Sequence, residues 1–159
     1  MKVNQVVGAV VLAGCAGAAH GVGCNVTSSG AAFGTYTPGQ ALPKDTIGNI
    51  TVSCTKGALD VLPLTVTYTI DLSRGNSNST SPRELRNGGS TLYYNLYTDP
   101  LRSSVWANAA SGMQVSGSVL LPAVSGTGST VHFAYGRIFA SQNATPGTYS
   151  DSIVITINY

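Results

Sequence analysis

Apolar and polar residues alternate with a period of two through most of the chain, and each run is bounded by turn-forming residues. Residues 47–54 follow Pro43, Lys44 and Asp45 and place Ile50, Val52 and Cys54 on one side against Thr51 and Ser53, the pattern of a half-buried strand. Residues 64–72 repeat it, with Leu64, Val66, Tyr68, Ile70 and Leu72 opposed to Thr65, Thr67, Thr69 and Asp71. A polar stretch over 74–82, rich in Gly, Asn, Ser and closing on Pro82, favours turn conformations over ladder pairing. Residues 90–99 form the next strand, with Leu92, Tyr94 and Leu96 opposite Tyr93, Asn95 and Tyr97, so both faces carry apolar surface. Residues 119–121 and 130–139 continue the series. In the second of these, Val131, Phe133 and Tyr135 alternate with His132 and Ala134, which predicts a polar-face position for His132. The last strand, 149–159, aligns Tyr149, Ile153, Ile155, Ile157 and Tyr159. Helical periodicity is missing, and closely spaced turn signals predict one compact antiparallel β-sandwich.

The first 21 residues read differently. Lys2 precedes an apolar run, Val6 to Ala13, and then small residues, the organisation of a secretory signal peptide too short to span a membrane as a helix. The expected division is therefore a leader over 1–21 and a β-domain over 22–159. Small residues allow cleavage after Ala18 or after Gly21, and Leu12-Ala13-Gly14-Cys15 offers the alternative of a lipobox with Cys15 lipidated. Either route removes Cys15 from the pairing arithmetic and leaves Cys24 and Cys54. In an oxidising compartment this even pair should form one disulfide. Two free thiols are the weaker alternative, and a metal site lacks ligands because His132 alone of the histidines follows the leader.

Composition narrows the function classes. Only 9% of the 159 residues are charged, against about 25% in an average soluble domain. With 19 Gly and a net charge of +2, the chain offers no basic footprint for nucleic acid and no material for coiled coils or charged tails. Catalysis finds little support. His132, Asp151 and a serine could be grouped on paper, but there is no Gly-x-Ser-x-Gly elbow between a strand and a helix. The glycines of 112–128 lack the Gly-Lys-Ser/Thr of a phosphate loop, and no two acids stand out as a glycosidase pair. We expect no enzyme activity, no cofactor and no metal.

Several segments, in order, resemble the spore coat protein U domain, the subunit fold of archaic chaperone-usher pili. They are Cys24, Phe33-Gly34-Thr35-Tyr36, residues 48–54, Arg83-Glu84-Leu85, residues 92–99, Trp106, and residues 147–157. The resemblance spans the mature chain, and Tyr-Asn-Leu-Tyr-Thr-Asp and Gly-x-Tyr-x-Asp-x-Ile-x-Ile are its specific elements. It implies an immunoglobulin-like sandwich lacking its last strand, completed by a donor strand from a periplasmic chaperone and later from a neighbouring subunit, with export through an outer-membrane usher to the cell surface. An apolar strand at the C-terminus agrees with this, because it would leave an open edge able to take up an alternating apolar strand.

On that reading Phe33, Ile153, Ile155 and Ile157 are the expected partner-binding residues of the donor-strand groove. The expected role is a non-catalytic pilus or fimbrial subunit in cell adhesion, with no nucleic-acid partner and membrane contact only if Cys15 is lipidated. The alternative is a stand-alone secreted or lipid-anchored coat or ligand-binding β-sandwich. Little chain precedes Cys24 after processing, which suggests a subunit that accepts a strand without donating one. Such a subunit would sit at the tip of a fibre, with loops 74–82 or 103–112 facing outward.

Overall fold

The computed structural model of the protein describes residues 2–10, 21–57, 60–123 and 126–159. Cys15 and the cleavage motif ending at Ala18 lie outside the described residues. Among these residues ten strands account for nearly all regular structure: β1 (Lys2–Val10), β2 (Gly23–Ser28), β3 (Gly34–Thr35), β4 (Lys44–Thr55), β5 (Leu64–Leu72), β6 (Arg83–Asn87), β7 (Ser90–Tyr97), β8 (Val115–Leu121), β9 (Thr127–Ile138) and β10 (Tyr149–Asn158). A single 3-10 turn, Ala109–Ser111, is the one helical element among the described residues.

Two ladders meet at β10. One runs β2-β4-β9-β7-β6, and its backbone is the antiparallel β4–β9 pair, in unbroken register from Lys44↔Ile138 to Thr55↔Thr127. The other contains β8, β5, β10, β1 and β3. β10 belongs to both, touching β6 at Ser150↔Arg86 and pairing with β5 from Ile155↔Leu72 to Asn158↔Thr69. Among the described residues every pairing is antiparallel except β1 with β10, which is parallel.

The alternation becomes burial. Val26, Ile50, Val52 and Leu96 from the first ladder meet Ile70, Leu72, Leu121, Ile153 and Ile155 from the second in one apolar core. Trp106 closes it from the connection between β7 and β8. Its ring is buried, its Nε1 donates to the Ile70 carbonyl at 3.1 Å, and its backbone N–H donates to Leu96 at 2.9 Å. One residue thus links β5, through its side chain, to β7, through its backbone.

The phase of β9 is the reverse of that expected. Val131 and Phe133 are 49% and 52% exposed, while His132 turns toward the core and Ala134 and Ile138 are buried. Space explains the inversion. A Cβ on Gly136 would lie 2.8 Å from the Phe33 ring, and one on Gly128 would lie 2.3 Å from the Leu120 carbonyl oxygen. The inner side of β9 therefore accepts small residues, and the bulky set faces out beside the half-exposed Ile47. Period two was readable in this strand, but its phase depended on neighbours distant in sequence.

Cys24 and Cys54 are direct cross-strand partners in the β2–β4 ladder, with Cα atoms 4.0 Å apart and the two sulfurs bonded. The sequence separation is 30 residues, and closing such a loop in the unfolded chain is worth about 3 to 4 kcal/mol by the chain-entropy estimate. Replacing both cysteines with alanine should lower the unfolding free energy by about that amount. Equilibrium urea denaturation of the oxidised parent and the double variant checks it, and indistinguishable midpoints would count against the role.

Candidate functional site

Of all the strands, β10 carries the arrangement best suited to binding. Its inward row is Tyr149, Asp151, Ile153, Ile155 and Ile157, all buried. Along one edge, Ile155 to Asn158 pair with β5, and Ser73 donates its N–H to the Val154 carbonyl at 3.0 Å. Along the other edge, Tyr149 to Ile155 pair with β1 from Val3↔Tyr149 to Val10↔Ile155. β1 in turn meets β3 through Lys2↔Thr35 and Val3↔Gly34. Without β1, this stretch of β10 would present a row of unpaired backbone groups.

Beneath that edge lies a small apolar cleft between the layers. Ile153 and Ile155 form one side with Leu72, and Gly30, Ala31, Gly48 and Ile50 form the other. The small residues matter, because a Cβ on Gly48 would come within 2.3 Å of the Gly30 carbonyl oxygen. The close backbone approach therefore requires glycine at 48, and the cleft is bounded on that side by main chain.

The lower end of the row is polar and fully tied down. The Asp151 carboxylate accepts hydrogen bonds from the Tyr94 hydroxyl at 2.7 Å, the Asn76 N–H at 2.7 Å and its neighbour's Ser152 N–H at 2.7 Å. Gly75 has φ +65, and a Cβ there would sit 2.2 Å from Asp151 Oδ2, so the 74–82 loop packs its backbone directly on the carboxylate. Burial first, and the Asp151 charge second, push the Tyr94 hydroxyl well above its usual pKa. Arg83 is buried nearby, donating from Nε to Ser73 and from Nη2 to Trp106 carbonyls at 3.0 and 2.8 Å. Burial lowers its pKa, opposed by the charges of Tyr94 and Asp151.

Over residues 8–156 the sequence matches the Spore Coat Protein U domain. The chain belongs to that family. Protein U of Myxococcus xanthus is 30% identical over 151 residues, covering 90% of this chain and 79% of that protein. The fold also matches one chain in the crystal structure of the CsuC-CsuE chaperone-tip adhesion subunit pre-assembly complex from archaic chaperone-usher Csu pili of Acinetobacter baumannii. There the TM-score is 0.52 at 11% identity, over 87% of this chain and 40% of that one. This chain thus spans less than half of that structure, and the likeness is one of fold.

Within this Spore Coat Protein U domain the four expected groove residues do not form a single set. Ile153 and Ile155 face the cleft and pair with β1. Ile157 lies beyond the end of β1, opposite Ile70 of β5. Phe33 is buried with its ring edge-on to Tyr94 at 5.7 Å and adjoins β3, whose Gly34 meets Val3. Leu72, Ile50 and the glycines of the cleft were not singled out from the sequence. Their signal was faint, a Gly30-Ala31 pair before Phe33 and a lone glycine inside a strand pattern at Gly48.

His132 and Asp151 do not serve each other. His132 Nε2 is hydrogen-bonded to the Tyr68 hydroxyl at 2.8 Å, and its ring lies edge-on to Tyr68 and Trp106. Burial lowers the His132 pKa below the usual imidazole value, so the folded protein holds it neutral. In the unfolded chain it titrates near ~6.5. The unfolded state therefore binds the extra proton first as pH falls, and stability that is complete above that value is lost on descending through it toward the folded pKa. A His132→Gln variant should show a flatter stability profile than the parent between about pH 7.5 and 5. Denaturation midpoints across that range test this, and parallel profiles for the two proteins would refute it.

Proposed function

We propose that this protein is a non-catalytic subunit of a secreted chaperone-usher surface fibre. On this reading it is an immunoglobulin-like sandwich, incomplete at the β10 edge and completed by a strand donated in trans. The single observation that carries the reading is the state of that edge. Residues 149–155 obtain their second ladder from β1, a segment outside the body formed by residues 23–158, and the inward apolar row there opens onto a cleft. An edge of this kind binds a strand through main-chain hydrogen bonds and selects it through alternate side chains.

Family membership and the fold likeness to a pilus-subunit complex support the same reading. The donors we propose are a periplasmic chaperone and then a neighbouring subunit, after export of the domain across the inner membrane. A disulfide between Cys24 and Cys54 suits the oxidising compartment this requires.

The test is complementation. The chain beginning at Val22 should aggregate or remain loosely folded by itself. An added peptide of about ten residues with alternating large apolar side chains, long enough to cover the edge at ~3.3 Å per residue, should convert it to a cooperatively unfolding monomer. The same peptide with those positions changed to serine should not. A stable monomer that ignores both peptides would overturn the acceptor reading and favour a stand-alone coat or ligand-binding domain.

A further inference from the structure

The strand that covers the acceptor edge comes from the leader. β1 runs parallel to β10, with Val6, Val7, Gly8, Ala9 and Val10 in register with residues 151–155. The composition of this segment suits a strand better than the helix expected of an apolar leader. Val3, Val6, Val7 and Val10 are β-branched and fit a pleated surface, whereas their helix propensity is poor. The leader therefore resembles in chemistry what the edge is built to take up, an apolar, nearly uncharged strand.

We infer that the uncleaved leader is this subunit's own temporary cover for the β10 edge, and that the cover is built to be displaced. The inference rests on the acceptor reading above and adds to it an occupant and an order of events. The weakness of the cover is visible at two places. The ladder is irregular between Val3 and Val6, so residues 4 and 5 have no register partner. More telling, the position in register with Ile153 is Gly8. Ile153 forms a wall of the apolar cleft with Ile155 and Leu72, opposite Gly30, Gly48 and Ile50. Glycine brings no side chain to this point and weakens a strand interior through its conformational freedom. At Ile153 the leader thus supplies main-chain pairing and, being glycine there, no side chain. A donor strand with a bulky apolar residue at the equivalent position gains burial that the leader cannot match. The edge stays shielded while the leader remains attached, and its removal opens the edge for the donor.

Three refolded, disulfide-bonded proteins test this: the full 159-residue chain, the chain starting at Val22, and the full chain with Gly8→Leu. Hydrogen exchange at the amides of 149–155 reports the cover directly, and uptake of a fluorescent alternating apolar peptide reports displacement. The full chain should exchange at least about tenfold more slowly over 149–155 than the shortened chain and take up peptide more slowly. Gly8→Leu should slow uptake by about a further tenfold or more, the scale expected for burying one leucine side chain. Equal exchange and equal uptake in the full and shortened chains would overturn the leader's role while leaving the acceptor reading intact. Unchanged uptake on Gly8→Leu would overturn the claim that an empty seat makes the cover weak. A shortened chain that takes up no peptide would overturn the acceptor reading, and this inference with it.

Discussion

A strand at the junction of two ladders must find partners for its backbone groups along both edges, and in this molecule that requirement falls on β10. Unpaired N–H and C=O groups away from water cost about 1 to 3 kcal/mol each, so a seven-residue open edge is far too costly to leave dry and uncovered. Half of the need is met from within the body by β6 at Ser150 and by β5 from Ile155 onward. The other half, along 149–155, is met by β1. The order of the two ladders around β10 reflects this division.

Holding β10 at the junction falls to polar contacts. Asp151 faces inward in an otherwise apolar row and collects Tyr94, Asn76 and Ser152, while Tyr149 is held through its hydroxyl by Ser90 and by the Thr145 carbonyl. These contacts fix the strand's axial position, since a shift of one residue would carry the carboxylate to the opposite face. They also divide the row. Below Asp151 the interior is occupied by hydrogen-bonded groups, and above it, at Ile153 and Ile155, it opens to the apolar cleft. The service of these contacts is register.

The strands that could be read from sequence are those whose alternation is clean and whose ends carry turn residues. Those around Ile50, Ile70, Leu92 and Ile155 fall where the pattern placed them. β6 went unrecognised because its inward residues are Arg83 and Leu85, and a buried arginine breaks the alternation that betrays a strand. The phase of β9 depended on the Phe33 ring and the Leu120 carbonyl, contacts that no local window contains. For the site, Ile153 and Ile155 were legible as an apolar row, but the cleft was not. Its opposite wall consists of what is missing from Gly30, Ala31 and Gly48, and space left by small side chains becomes visible only when distant strands are brought together. The N-terminal segment was legible as apolar, whereas the parallel seat of residues 2–10 on β10 is a tertiary fact.

The disulfide has a mechanical side. The β2–β4 ladder runs antiparallel from Gly23↔Thr55 to Ser28↔Ile50, so a pull on the chain ahead of residue 23 would load it at one end, where ladders unzip one pair at a time. Cys24 and Cys54 close the second pair of that ladder covalently. Force arriving there passes into β4, which is paired along its whole length with β9. β2 is thereby changed from a strand open to peeling into the point where tension is handed to the longest ladder among the described residues.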